Sequence, residues 1–431
     1  MKSFNELFLS QSIHANLKRN CLTEPTPVQA QAIPPALTGS DVIATARTGT
    51  GKTLAFLLPV IERMLKNSGV APKPGGAQPI RALILSPTRE LAIQISDAFT
   101  NLSLNTGLRA AVAVGGLSEQ TQLNAIRRGA QVLIATPGRL EDFLNRELVR
   151  LNAVEMLVLD EADRMLDMGF LPTIKRILSA LPTARQSLFF SATMTKDVER
   201  LIAHHSKNPV RISIHGSRMT TPDAIDLHLY EVEDHVKLAL LRHMLGQNDG
   251  SFLVFARTKH GTDRLAKRLS RLGLPAVAMH GDRTQNQRNQ ALAGFRDGRY
   301  RILVATDVAA RGIHIDGVAH VVNYDLPQAP ADFIHRVGRT GRAGQRGAAS
   351  TFSMKSERGE VRRIELECKV LLERRTVAAE VVQEANESDQ AKTDGTGDSA
   401  APHKHVHRSF RPHRGANQNA GTRPKRARRR R

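Results

Sequence analysis

Short apolar runs that end in loops of small, polar or charged residues recur along the chain. They appear as "DVIATARTGTGKT", "RALILSPTRELA", "QVLIATPGRL", "MLVLDEAD" and "SLFFSAT". They return as "SFLVFARTK", "PAVAMHG", "RILVATDVAARG" and "AHVVNYDLP". Between them lie stretches such as "LEDFLNRELV" and "DRLAKRLSRLG", with apolar residues at helical spacing. Continuous apolar strands alternating with amphipathic helices predict an α/β fold built on parallel sheets buried on both faces. In such sheets ligands bind beyond the carboxyl ends of the strands, where these loops lie.

The first series closes near residue 207 and the second begins near residue 225. The pattern therefore predicts two tandem parallel-sheet domains, 1–207 and 225–375, joined by a linker at 208–224. A chain of 431 residues is long for one core, which agrees with that division. Residues 67 to 81 are rich in Pro and Gly and predict a surface loop inside the first domain. After residue 375 the composition turns polar, and residues 376–431 are expected to be a disordered tail. Its first part is mostly acidic; from 401 onward there are eleven Lys/Arg and no acidic residue.

Aromatics make up only 4% of the chain and Trp is absent, so the two cores must be mainly aliphatic. With 62 Lys and Arg against 41 Asp and Glu, the formal charge is +21, which points to a polyanionic partner. Nucleic acid is the first choice; an anionic membrane surface lacks an amphipathic anchor to support it. The longest apolar run, around "AFLLPVI", is too short to span a bilayer, and the first twenty residues lack the apolar core of a signal peptide. Cys21 and Cys368 form neither a disulfide framework nor a metal spacing. These features predict a cytoplasmic protein without a membrane partner.

"ARTGTGKT", residues 46 to 53, follows an apolar strand and precedes a helix, the setting of a phosphate-binding loop. Ala46 stands where Gly is commoner. Arg47, Thr48, Gly49, Thr50 and Gly51 would close backbone N–H groups around phosphate oxygens at a helix N-terminus. Lys52 would reach the β- and γ-phosphates and Thr53 would join a Mg²⁺ shell. "MLVLDEADRM" crowds Asp160, Glu161 and Asp163 into one turn, which is costly unless a cation sits among them. Beside a phosphate loop that cation is Mg²⁺ on ATP: Asp160 is the candidate metal ligand, and Glu161 the candidate for orienting the attacking water.

With "TPVQ", "ARTGTGKT", "PTRELA", "TPGR", "DEAD", "SAT", "ARG" and "HRVGRTGR" in this order, the sequence resembles the DEAD-box RNA helicases from Phe4 to about residue 350. Within that family it looks most similar to the bacterial RhlE-like members. The resemblance implies two RecA-like domains and an ATP-dependent RNA helicase that separates short duplexes. It implies that Gln29 selects adenine and that Phe4 stacks near the base. Ser191 and Thr193 would couple the ATP site to the strand-separating surface. Arg339 and Arg342 would act as fingers on the γ-phosphate, and His335 and Arg336 would join contacts across the cleft. Two departures stand out: Cys21-Leu22 replaces a common Gly-Phe, and His314 replaces an Asp that contacts ribose, with Asp316 two residues on.

Independently of the family, planar guanidinium donors on a second domain would make phosphoryl transfer conditional on closure. The remaining loops suit a nucleic-acid backbone. Pro87, Thr88 and Arg89 open one helix, and Gly115 and Gly116 permit close backbone approach. Thr136, Gly138 and Arg139 open another helix, and the second domain offers Gln285 and Arg288, to which the family resemblance adds Thr306. No aromatic platform interleaves with them, so single-stranded RNA would be gripped by its backbone and with strong salt dependence. Preference for RNA over DNA is an implication of the resemblance alone.

Two other classes remain open at this level: a DNA-directed motor, and an ATP-gated clamp or RNA chaperone whose tail anneals strands. The basic tail could tether structured RNA, solubilise the chain, or, as "KRARRRR", serve as a nuclear address. Ribosomal precursors and RNA-decay assemblies are compatible partners for the family.

Overall fold

The computed structural model describes residues 2–46, 49–66, 78–214, 225–310, 318–341 and 346–394. The first domain carries strands β1 (Val42–Thr45), β2 (Ala82–Leu85), β3 (Ala110–Ala113), β4 (Val132–Ala135), β5 (Met156–Leu159), β6 (Gln186–Ser191) and β7 (Val210–Ser213). The second carries β8 (Ile225–Glu231), β9 (Phe252–Phe255), β10 (Ala276–Met279), β11 (Ile302–Ala305), β12 (His320–Asn323), β13 (Gly347–Ser353) and β14 (Glu373–Arg375). The sheets are ordered β3-β4-β2-β5-β6-β1-β7 and β10-β11-β9-β12-β13-β8-β14. Every pairing is parallel.

The apolar runs become central strands because their alternate residues serve opposite faces. In β2, Ala82 and Ile84 join one core while Leu83 and Leu85 join the other. β5 divides the same way, Met156 and Val158 against Leu157 and Leu159. Two-sided burial explains why these strands read as unbroken hydrophobic runs. Truncating a ring such as Phe189, which is wholly buried, would cost about 3–5 kcal/mol.

Both expected boundaries move outward. The linker was expected at 208–224, yet β7 pairs with β1 from Val210 to Ser213 and closes the edge of the first sheet. An edge strand with only Ile212 buried shows no alternation strong enough to read from sequence. The rest of that linker, 215–224, lies outside the described residues, as do 67–77 of the Pro/Gly-rich loop.

The disorder expected from residue 376 is also corrected. A helix spans Ala379–Asp394 and packs on the second domain through Val381 and Ala385, both nearly inaccessible to solvent. Arg242 pairs with Glu384, and His235 meets Asn386 at 2.9 Å. Two apolar residues one turn apart are enough when a groove already exists to receive them, though too few to predict a helix. The tail from 395 onward lies outside the described residues. No helix among those described is long and apolar enough to cross a membrane.

Candidate functional site

The carboxyl ends of β1 and β5 bring the phosphate loop and the acidic turn together, as sheet topology requires. Past β1, Ala46 donates its N–H to the Ser191 carbonyl at 2.9 Å, and the chain then turns through Gly49 and Gly51 at φ 86° and 89°. Only glycine adopts such angles without strain. Gly51 has a second constraint: a Cβ there would lie 2.3 Å from Gln29 Nε2. Gln29 closes a capping box with Thr26 at the start of Pro27–Leu37 and donates Nε2 to the Gly51 carbonyl at 3.0 Å. Helix Lys52–Lys66 then begins, with Thr53 half-buried in its first turn. Arg47 and Thr48 lie outside the described residues.

Phe4 is 2% exposed and packs into the first-domain core instead of presenting an open ring. Its segment is tied to the helix after the phosphate loop, because the Ser10 N–H and hydroxyl both donate to Glu62 at 2.7 Å.

Lys52 is 6% exposed, and among the described residues neither its Nζ nor Asp160 Oδ1 has a hydrogen-bond partner. Burial pushes the Asp160 carboxyl up to about 7, against the pull of Lys52 and with the repulsion of Glu161. Glu161 sits in the left-handed region at φ 52° and ψ 52°. Burial favours its neutral form, but the Arg164 guanidinium 2.5 Å away, with Lys52 and Arg339 adding, holds it down at about 2. Asp163 turns elsewhere. It accepts from the Ala192 N–H at 3.2 Å, the Thr193 N–H at 2.7 Å and the Thr193 hydroxyl at 2.8 Å. Its own N–H donates to Ser191 Oγ at 3.2 Å, and that hydroxyl donates to the Thr193 carbonyl at 2.7 Å.

The three acidic residues thus diverge from one turn. Among the described residues no three or more His, Cys, Asp or Glu converge as a metal site. What remains for a divalent cation is Asp160, with the Thr53 hydroxyl in the first turn of helix Lys52–Lys66 as the second candidate. An orphaned ammonium and an orphaned carboxylate oxygen in one buried spot suit a phosphate chain carrying such a cation.

From the second domain, Arg339 lies at the cleft, donating Nε to the His335 carbonyl at 3.2 Å and close enough to Glu161 to lower its pKa. Arg336 corrects an expectation. It is 2% exposed and held inside its own domain by Asp307 at 2.5 and 2.7 Å and by the Asp325 carbonyl at 2.7 Å. Its guanidinium lies over the Phe255 ring at 4.9 Å. A guanidinium held this way is a strut for the strand ends, its hydrogen bonds among the described residues being made inside its own domain. His335 sits 4.0 Å from Asp332 on the same helix. Arg342, His314 and Asp316 lie outside the described residues.

Of the loops assigned to a nucleic-acid backbone, several have partners already. Pro87 is buried, and Thr88 caps helix Arg89–Leu102 by accepting from the Leu91 N–H. Arg89 lies over Gly115 and Gly116, where a Cβ on Gly116 would come within 2.1 Å of its Nη1. Thr136 heads helix Pro137–Asn145, and Gly138 faces open space. Arg139 pairs with Glu119 at 3.3 Å and lies over the Phe143 ring at 5.3 Å. Thr306 is buried at the end of β11.

Gln285 and Arg288 were expected on RNA. Both instead reach the first domain, donating to Glu90 at 2.8 and 3.0 Å, all three side chains buried. Sequence reading missed Glu90, Arg164, Glu119 and Asp307, and it gave Asp163 no partner. Glu90 was visible inside "PTRELA", but only the fold reveals what faces it.

Model matches to known families cover both domains: a DEAD/DEAH box helicase model over residues 26–201 and a helicase conserved C-terminal domain over 236–344. The DEAD-box ATP-dependent RNA helicase CshA of Geobacillus kaustophilus is 42% identical over 376 residues, covering 87% of this chain and 78% of that one. Among solved structures, S. cerevisiae Dbp5 bound to RNA and ADP BeF3 has 30% identity and a TM-score of 0.75, covering 91% of this chain and 98% of its own. The DEAD-box helicase Mss116 bound to ssRNA and UDP-BeF has 29% identity and a TM-score of 0.80, covering 89% and 82%.

Proposed function

Because the chain belongs to the DEAD/DEAH box helicases, as an ATP-dependent RNA helicase, we propose how its own residues divide the work. The carrying observation is the pair of orphaned buried groups, Lys52 Nζ and Asp160 Oδ1, in a cleft that Arg339 of the second domain closes. Lys52 receives the β- and γ-phosphates, with the loop 46–53 supplying N–H donors at the helix start. Gln29, already tied to Gly51, is placed to read the edge of adenine, with Phe4 supporting that wall from the core. Thr53 and Asp160 are the groups that would hold Mg²⁺, which when bound neutralises charge on the phosphates.

Glu161, kept ionised, orients the attacking water and accepts its proton. Arg339, with Arg342 as a second candidate, stabilises charge on the equatorial oxygens. Ser191 and Thr193, gripped by Asp163, carry the state of the nucleotide site toward the RNA surface. Arg89, Gly138 and Arg139 are the first-domain contacts best placed for RNA phosphates, and Thr306 the second-domain one. Closure would bend one RNA strand and separate a short duplex locally; loss of phosphate would reopen the cleft.

Free Cys21 and Cys368 support a reducing compartment, the cytoplasm. Ribosomal precursors and RNA-decay assemblies are partners this activity would fit. The strongly basic tail is what favours an RhlE-like grouping, while the relatives cited carry the name CshA.

The test is ATP hydrolysis at one fixed salt concentration, without nucleic acid, with single-stranded RNA and with matching DNA, alongside Lys52→Ala. Stimulation by RNA alone, lost in the variant by about a hundredfold or more, is the expected result. Equal stimulation by DNA would remove the RNA preference. Full activity in Lys52→Ala would overturn the phosphate assignment.

A further inference from the structure

We propose that Arg164, the residue after the acidic turn, is a positioning residue for ATP hydrolysis that sets the geometry of Glu161. The inference rests on Glu161 being the water-orienting group. Three observations carry it. Glu161 occupies a left-handed backbone conformation that an L side chain adopts at a cost. Something must therefore hold it, and its carboxylate receives Arg164 Nη1 at 2.5 Å with both side chains 7% exposed or less. Second, Arg164 Nε and Nη2 are buried and, among the described residues, without hydrogen-bond partners. A guanidinium kept for packing alone would gain nothing from that arrangement, since an apolar pair of similar volume is equally stable or more so. Unsatisfied buried donors beside a reacting group are where strain serves function.

Third, Arg164 is the last link of a continuous path. The loop at Ala192 and Thr193 donates to Asp163 Oδ2, the Arg164 N–H donates to Asp163 Oδ1 at 3.0 Å, and the guanidinium grips Glu161. Movement of the Ser191–Thr193 loop would thereby be delivered to the Glu161 carboxylate. Arg164 touches neither nucleotide nor water in this scheme and acts only through Glu161.

The test uses the full chain with saturating RNA, comparing Arg164→Ala, Arg164→Lys and Glu161→Gln. Misplacing Glu161 by a fraction of an ångström should lower kcat about ten- to a hundredfold. The KM for ATP and the affinity for a non-hydrolysable analogue should stay within about twofold, because ground-state binding does not use Glu161. Arg164→Lys keeps a charge without the planar fork and should fall between Ala and wild type. Millimolar guanidinium should restore part of the Arg164→Ala rate and none of the Glu161→Gln rate. An unchanged kcat in Arg164→Ala overturns the proposal. So does a parallel loss of kcat, analogue affinity and melting temperature that guanidinium does not rescue. If Glu161→Gln itself hydrolyses ATP normally, the underlying reading of Glu161 fails first, and the two failures are told apart.

Discussion

Glu90 and Arg288 meet at 3.0 Å across the two domains, with only 4% and 9% of their side-chain surfaces open to solvent. Gln285, one helical turn away, adds a second donor to the same carboxylate at 2.8 Å. Glu90 lies in the first turn of the helix whose first residue, Arg89, faces the glycine pair, so the domain contact and the proposed first-domain RNA surface share one turn of backbone.

Glu90→Ala would leave Arg288 buried and uncompensated, a loss of about 3–5 kcal/mol for breaking one partner of such a pair. The closed form should therefore become rare. Fluorescence energy transfer between labels on the two domains, with RNA and an ATP analogue present, should report mostly open molecules. A closed population equal to wild type would mean that the pair is a passive neighbour of the interface.

Gly116→Ala introduces a Cβ only 2.1 Å from Arg89 Nη1, at a backbone φ of 75° that alanine resists. The guanidinium must move away. RNA affinity should fall at all sequences alike, and the slope of log K against log salt should shrink by about one phosphate contact. Nucleotide binding to the isolated protein should not change, which titration with an ATP analogue would check.

His320 is buried in β12, stacked on Phe252 at 4.9 Å with Nε2 2.9 Å from Ser350 Oγ. Burial lowers its pKa from 6.5 to about 4, with His228 adding a little. The unfolded chain takes up this proton first as pH falls, so the folded state is favoured above pH 6.5 and loses that advantage between 6.5 and 4. The full effect is roughly 3 kcal/mol. Urea midpoints measured at pH 7 and pH 4.5 should differ less in His320→Asn than in wild type.

The cysteines should separate cleanly by reactivity. Cys21 is exposed, whereas burial raises the Cys368 thiol to about 11 and it donates to the Pro330 carbonyl at 3.1 Å. Because the thiolate is the nucleophile, iodoacetamide at pH 8 should label Cys21 alone until denaturant is added. Mass spectrometry of tryptic peptides would detect any early labelling of Cys368.

Much of the fold was legible because its signals are local. A fully buried parallel strand is an apolar run, and a loop that wraps phosphate needs small residues before a lysine; both sit within a dozen positions. The elements missed had weak local signals and strong distant partners. β7 shows one buried residue in four, and helix Ala379–Asp394 declares itself only through Val381 and Ala385 meeting a groove formed some 140 residues earlier in the chain.

The sequence by itself determined that two parallel-sheet domains would carry a phosphate loop, an acidic turn and arginines on a second unit, because residue type limits chemistry. Only the tertiary structure decided where each charge is spent. Asp160, Glu161 and Asp163 are near neighbours in the chain, yet they face the buried ground beside Lys52, Arg164 and the Ser191–Thr193 loop respectively. Arg336 and Arg339 lie three residues apart, and one is consumed within its domain while the other reaches the cleft. Charge pairs are made by distance and burial, and neither is set by spacing along the chain once strands from far apart lie side by side.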